Sequence, residues 1–74
     1  MITTAIRRKV VENVIDHAKT GAMFRQEREM HHLTLREFSK RIGVSSSFLS
    51  DLERGRRNWS DEMVAKCWKE LSVT

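Results

Sequence analysis

The sequence predicts an all-α protein, a small five-helix bundle in one domain over residues 1–74, and three observations carry that prediction. Proline is absent and only three glycines occur, so the chain has few helix breakers. Apolar residues recur at steps of three and four, the spacing of a helix face, and not at a strand's alternation. Threonine or serine stands where a cap belongs ahead of four of these runs.

The length of 74 residues leaves room for one domain. A chain this short buries roughly 60% of its unfolded surface, so dimerisation would strengthen it. The 39% hydrophobic and 32% charged fractions suit a soluble globular chain, and no apolar run reaches the ~18 residues of a membrane span. Met1-Ile2-Thr3-Thr4 lacks the charge, apolar stretch and cleavage site of a signal peptide, which predicts a cytoplasmic protein with no membrane partner. One cysteine, Cys67, excludes an internal disulfide and a thiolate zinc cage.

Each element has its own signal. Thr3-Thr4 caps a helix expected over residues 4–19, with Ile6, Val10, Val14 and Ala18 on one stripe; that stripe completes the monomer's core or forms a dimer seam. Arg7-Arg8-Lys9 reads as its solvated face. Thr20-Gly21 is expected to interrupt the chain before a second helix over residues 22–31, whose apolar residues are Met23, Phe24 and Met30. Thr34 and Glu37 then have the spacing of a capping box, and Leu33 and Phe38 that of a hydrophobic staple. Leu35, Phe38 and Ile42 form the predicted buried face of this third helix, which Gly43 ends. Ser45 caps a fourth helix with the stripe Phe48, Leu49 and Leu52, closed by Gly55. A last helix starts from Ser60, with Asp61 and Glu62 on the positive end of its dipole and Met63, Val64, Cys67, Trp68 and Leu71 as its apolar side.

Residues 35–54 therefore comprise two short helices joined by a turn too tight for antiparallel packing, which is a helix-turn-helix. In that arrangement the second helix faces the major groove of DNA. The positions outside its apolar stripe are Ser45, Ser46, Ser47, Ser50 and Asp51, hydroxyls and a carboxylate short enough for close approach to base edges. Arg54, Arg56, Arg57 and Asn58 follow as longer arms suited to phosphate, and Arg36, on the first turn of the preceding helix, can join them at the backbone. The charge map agrees with this placement. The formal charge of +4 concentrates as +3 over residues 33–59 and falls to −1 over residues 60–74.

The stretch from Thr34 to Ser45 and the stretch from Phe48 to Asn58 resemble the λ-repressor/Cro-like helix-turn-helix regulators, the XRE family. The core of the likeness is Ile42-Gly43-Val44-Ser45 followed by Leu52-Glu53-x-Gly55. The resemblance covers about residues 21–71 and implies a dimeric DNA-binding regulator on a palindromic operator. It also implies bacterial or phage origin and a nucleoid-associated, cytoplasmic location. It gives Thr34 a grip on the phosphate backbone, Ser46, Ser47, Ser50 and Asp51 the reading of bases, and Arg54, Arg56 and Asn58 backbone contacts after the helix. It makes Arg28 and Glu53 an internal ion pair. The chain departs from the family's habit at Leu35, where glutamine is frequent, at Ser39, where alanine is usual, and at Trp59, where proline often follows.

Other chemistry is weakly signalled. Adjacent His31 and His32 point about 100° apart on a helix, which is poor metal-ligand spacing, and no metal or cofactor is expected. Cys67 reads as a core residue, and Trp59 and Trp68 as core or interface anchors. No phosphate loop, nucleophile elbow or paired carboxylate suggests an enzyme. The expected function is a sequence-specific double-stranded DNA-binding regulator, a dimeric repressor by operator occupancy. The competing functions are an antitoxin-type protein covering a toxin partner, and a DNA-bending recombination factor.

Overall fold

The computed structural model describes residues 15–73. They form four helices: α1 (His17–Met30), α2 (Leu35–Ile42), α3 (Ser46–Glu53) and α4 (Asp61–Val73). None of the described helices is long and apolar enough to cross a membrane.

The helix expected over residues 4–19 lies largely outside the described residues, together with Arg7-Arg8-Lys9 and most of the Ile6 stripe. Its expected end at Lys19 is corrected. Asp16 caps α1 by accepting from the Lys19 amide at 3.1 Å, and α1 runs unbroken through Thr20 and Gly21 to Met30. The four helices of the described residues therefore do not include a separate element ending at residue 19. Gly21 is buried and serves contact, not interruption: a Cβ there would overlap the Leu52 carbonyl oxygen and stand 2.8 Å from that of Glu53. The lost helix propensity, about 1 kcal/mol against alanine, is the cost of bringing α1 onto the backbone of α3.

Local chemistry shapes the next two helices. At Thr34 the hydroxyl accepts from the Glu37 amide at 3.0 Å, and the Glu37 carboxylate accepts from the Thr34 amide at 2.8 Å. These bonds, the backbone one foremost, hold the exposed Glu37 carboxyl below the usual carboxylate range. The staple residues Leu33 and Phe38 are both buried. Gly43 ends α2 at φ 76°, a left-handed conformation that glycine adopts without steric penalty. Ser45 then caps α3 by accepting from the Phe48 amide at 3.1 Å, and Ser60 does the same for α4 with Met63.

The core comprises Phe24, Leu33, Phe38, Ile42, Leu49, Leu52, Trp59, Cys67 and Leu71. Trp59 is its keystone. Its ring stacks on Phe24 with centroids 4.8 Å apart, its indole N–H donates to the Leu52 carbonyl at 3.1 Å, and its amide donates to His17 Nδ1 at 2.8 Å. The loop after α3 is thus tied to both α1 and α3 at the position where proline is frequent in the family resembled. Trp68 touches Phe24 at 5.0 Å but remains exposed at the rim. Leu35 and Phe48 are only half-buried, as are Met63 and Val64 on α4, and all four pack against the edge of this core.

Burial pushes the Cys67 thiol up to about 12, so it stays protonated at neutral pH. In the folded protein Cys67 is expected to resist a thiol-reactive disulfide reagent at pH 8, and to react at the rate of a free thiol in denaturant. Rapid labelling of the native chain would contradict the packing described for α4.

Candidate nucleic-acid interface

α2 and α3 are separated only by Gly43, Val44 and Ser45, and the left-handed glycine turns the chain sharply between them. The outer face of the pair carries a shallow groove of about 310 Å³ lined by Leu35, Ser46, Ser47, Ser50 and Asp51. Four of these are residues singled out for base contact; the fifth is not. Leu35 was placed on a buried face by periodicity, yet it lines this groove and a neighbouring one formed with Arg25, Arg28, Ser50, Glu53 and Arg54. Its position at the very start of α2 was the available signal, because the first residue of a helix precedes the completed face.

The hydroxyls differ in what they offer. Thr34 and Ser45 use oxygen lone pairs on their own helix amides, leaving each O–H proton for an outside acceptor, and both residues are exposed. Ser47 is exposed and Ser50 half-buried, and neither side chain is bonded within the described residues. Ser46 is tied inward. Its hydroxyl lies 3.2 Å from that of Ser39, which is buried and donates its own proton to the Arg36 carbonyl at 2.9 Å. Ser39, where alanine is usual in the family, is thus a polar link between the two helices.

The basic arms do not behave alike. Arg36, Arg54, Arg56 and Asn58 are exposed, and their side chains are unbonded within the described residues. Arg57 folds back onto α3. Its Nε donates to Asp51 Oδ2 at 3.3 Å, and its guanidinium carbon sits 4.8 Å above the Phe48 ring. Sequence spacing contains no hint of this, since residues 51 and 57 are separated by the end of a helix and a turn.

In the neighbouring groove, Arg28 and Glu53 form a bidentate pair, Nε–Oε2 2.7 Å and Nη2–Oε1 3.1 Å, with both residues buried. Arg28 Nη1 also donates to the Leu33 carbonyl at 2.8 Å. One guanidinium therefore joins α1, the entry to α2 and the end of α3, and no buried side-chain nitrogen or oxygen of the described residues lacks a partner. This pair holds the outer helix in its orientation.

His31 Nδ1 is engaged with the Glu27 carbonyl at 2.8 Å, and no group of three or more potential metal ligands occurs among the described residues. The outer face of α3 thus presents hydroxyls and one carboxylate paired with Arg57, with cationic arms at its flanks. That geometry is a helix-turn-helix of the kind that contacts a duplex.

The family model described as Helix-turn-helix matches residues 24–74. The chain belongs to that family, which is the XRE family of DNA-binding transcription regulators that the sequence resembles. It is 37% identical over 54 residues to an uncharacterized HTH-type transcriptional regulator of Mycobacterium tuberculosis, covering 73% of this chain and 39% of that one. It is 40% identical over 43 residues to the ImmF control region 10 kDa protein of Bacillus phage phi105, covering 58% of this chain and 48% of that one. Among solved structures, the clp gene regulator ClgR from Corynebacterium glutamicum superposes with a TM-score of 0.76 at 34% identity, over 84% of this chain and 80% of that one. The chain thus spans 39% of the length of its mycobacterial relative.

Proposed function

We propose that this chain binds double-stranded DNA as a homodimer, with α3 in the major groove of each half of a palindromic operator, and represses by occupying it. The observation that carries the reading is the groove lined by Ser46, Ser47, Ser50 and Asp51 of α3, flanked by the unbonded Arg36, Arg54 and Arg56 on a helix-turn-helix scaffold. Ser46, Ser47, Ser50 and Asp51 approach base edges; Thr34, Ser45, Arg36, Arg54, Arg56 and Asn58 meet phosphates on either side. Two such helices one DNA turn apart, about 34 Å, fit a two-fold site. The mycobacterial protein similar to it bears the name of a transcriptional regulator and the corynebacterial one that of a gene regulator, which supports regulation over catalysis.

The test is fluorescence anisotropy on the duplex upstream of its own gene beside a scrambled duplex, at two salt concentrations. A preference of about 10³ or more that persists at the higher salt is expected of a specific regulator. Arg54→Ala with Arg56→Ala is expected to weaken binding to both duplexes alike and to flatten the salt slope by about 0.9 per lost phosphate contact. Equal, salt-quenched binding by the wild type would sink the operator reading.

A further inference from the structure

We propose that Arg57 is a positioning residue, which holds Asp51 as a hydrogen-bond acceptor for the exocyclic amine of a cytosine in each half-site. The proposal rests on the placement of α3 in the major groove given above, and adds the base it reads.

A carboxylate on a surface that meets DNA is repelled by phosphate unless a cation cancels it. Asp51 has such a cation at 3.3 Å, and Arg57 is held there by more than charge. Its guanidinium lies over the half-buried Phe48 ring, a stacking that favours the planar cation. The Arg56 amide donates to the Asp51 carbonyl at 2.8 Å, so the turn leading to Arg57 is fastened to the same residue its side chain serves. That turn requires Gly55, whose φ is 77° and whose Cβ, were there one, would stand 3.0 Å from Ala18 Cα.

The pairing engages one oxygen only. Arg57 takes Oδ2, while Oδ1 has no partner within the described residues, and Asp51 lines the groove beside Ser46, Ser47 and Ser50. An ionised carboxylate accepts and never donates. The amine donors on base edges in the major groove are cytosine N4 and adenine N6. Adenine places the lone pair of N7 beside its amine, which repels a carboxylate; cytosine places a C–H there. Cytosine is therefore the base selected.

A second contact points the same way. The single proton of Ser39 is donated to the Arg36 carbonyl, so the proton between the Ser39 and Ser46 hydroxyls belongs to Ser46. Ser46 then turns only lone pairs outward, and the first turn of α3 adds an acceptor to the same groove. Arg57 in this reading is not a phosphate clamp, which separates it from Arg54 and Arg56.

The experiment is selection from a randomised duplex pool by the full chain and by Asp51→Asn, Arg57→Ala and Arg56→Ala, with melting curves for each. Arg56 and Arg57 are exposed and Asp51 is half-buried, with none in the core, so melting shifts of no more than a few degrees are expected and the selections are compared at a temperature where every variant is folded. Wild type is expected to enrich cytosine at one position of each half-site. Asp51→Asn shifts that position to adenine, which pairs its N6 and N7 with an amide, by about tenfold in relative preference. Arg57→Ala lowers the cytosine preference there by a similar factor and leaves other positions unchanged. Arg56→Ala weakens binding to every sequence and changes no preference. Unchanged cytosine enrichment by Asp51→Asn would overturn the proposal, as would an unchanged cytosine preference in Arg57→Ala, whatever its overall affinity. A pool that the wild type does not enrich at all would overturn the DNA reading beneath it, a distinct outcome.

Discussion

Replacing Arg28 by alanine is expected to cost about 3–5 kcal/mol, enough to unfold most of a domain whose whole stability is of order 5 kcal/mol. The large effect follows from what is left behind. Glu53 is 7% exposed and both its oxygens are bonded to Arg28, so truncation strands an ionised carboxylate against the Leu52 end of α3. The Leu33 carbonyl loses its donor as well. Denaturant unfolding of Arg28→Ala and of Glu53→Ala should show comparable losses. The double variant Arg28→Met with Glu53→Leu should recover most of the stability, because removing both charges removes the desolvation penalty along with the attraction. If the double variant is as unstable as either single one, geometric support and not charge pairing is the contribution of this pair. Either way DNA binding by the single variants is expected to fall with the folded fraction.

Gly21→Ala is expected to destabilise by about 2–3 kcal/mol, against the usual sign for glycine in a helix. Alanine in an exposed helix interior gains about 1 kcal/mol over glycine. Here the added methyl meets the carbonyl oxygens of Leu52 and Glu53, backbone atoms that no rotamer change can move aside. α1 must lift away from α3, which also stretches the Arg28–Glu53 bridge and the seat of Trp59 under Leu52. The check is the urea midpoint of Gly21→Ala beside Ala22→Gly at an exposed site one residue on, which should lose only about 1 kcal/mol. A stabilised Gly21→Ala would mean that the helices do not approach as closely as described.

How much of this is legible in the sequence depends on the range of each interaction. The capping box at Thr34, the staple of Leu33 and Phe38, the turn at Gly43 and the caps at Ser45 and Ser60 join residues within five positions, and their chemistry is written in consecutive letters. These signals located α2, α3 and the turn between them, and with them the groove residues Ser46, Ser47, Ser50 and Asp51. Gly21 was misread for the opposite reason. As a string, Thr20-Gly21 looks like a break; what makes glycine necessary is a backbone 31 residues away at Leu52, which no local pattern reports. Leu35 and Phe48 pack against the core as the periodicity predicts, yet both stay half-buried, because periodicity states which side a residue is on and not how completely that side is covered.

The sequence alone determined the helical character, the helix-turn-helix at its centre and the basic segment after α3, since caps, periodicity and turn chemistry are properties of neighbouring residues, and the resemblance carried by those same residues pointed to the family that the match over residues 24–74 shows. The tertiary structure decided the rest: that α1 runs through Gly21, that Arg28 joins three elements, that Trp59 closes the core, and that Arg57 faces Asp51 while Arg54 and Arg56 stay open to solvent. Charge and hydrogen-bonding capacity are set by residue type, but which partner satisfies them is set by proximity in space, and proximity between distant residues exists only once the helices have packed.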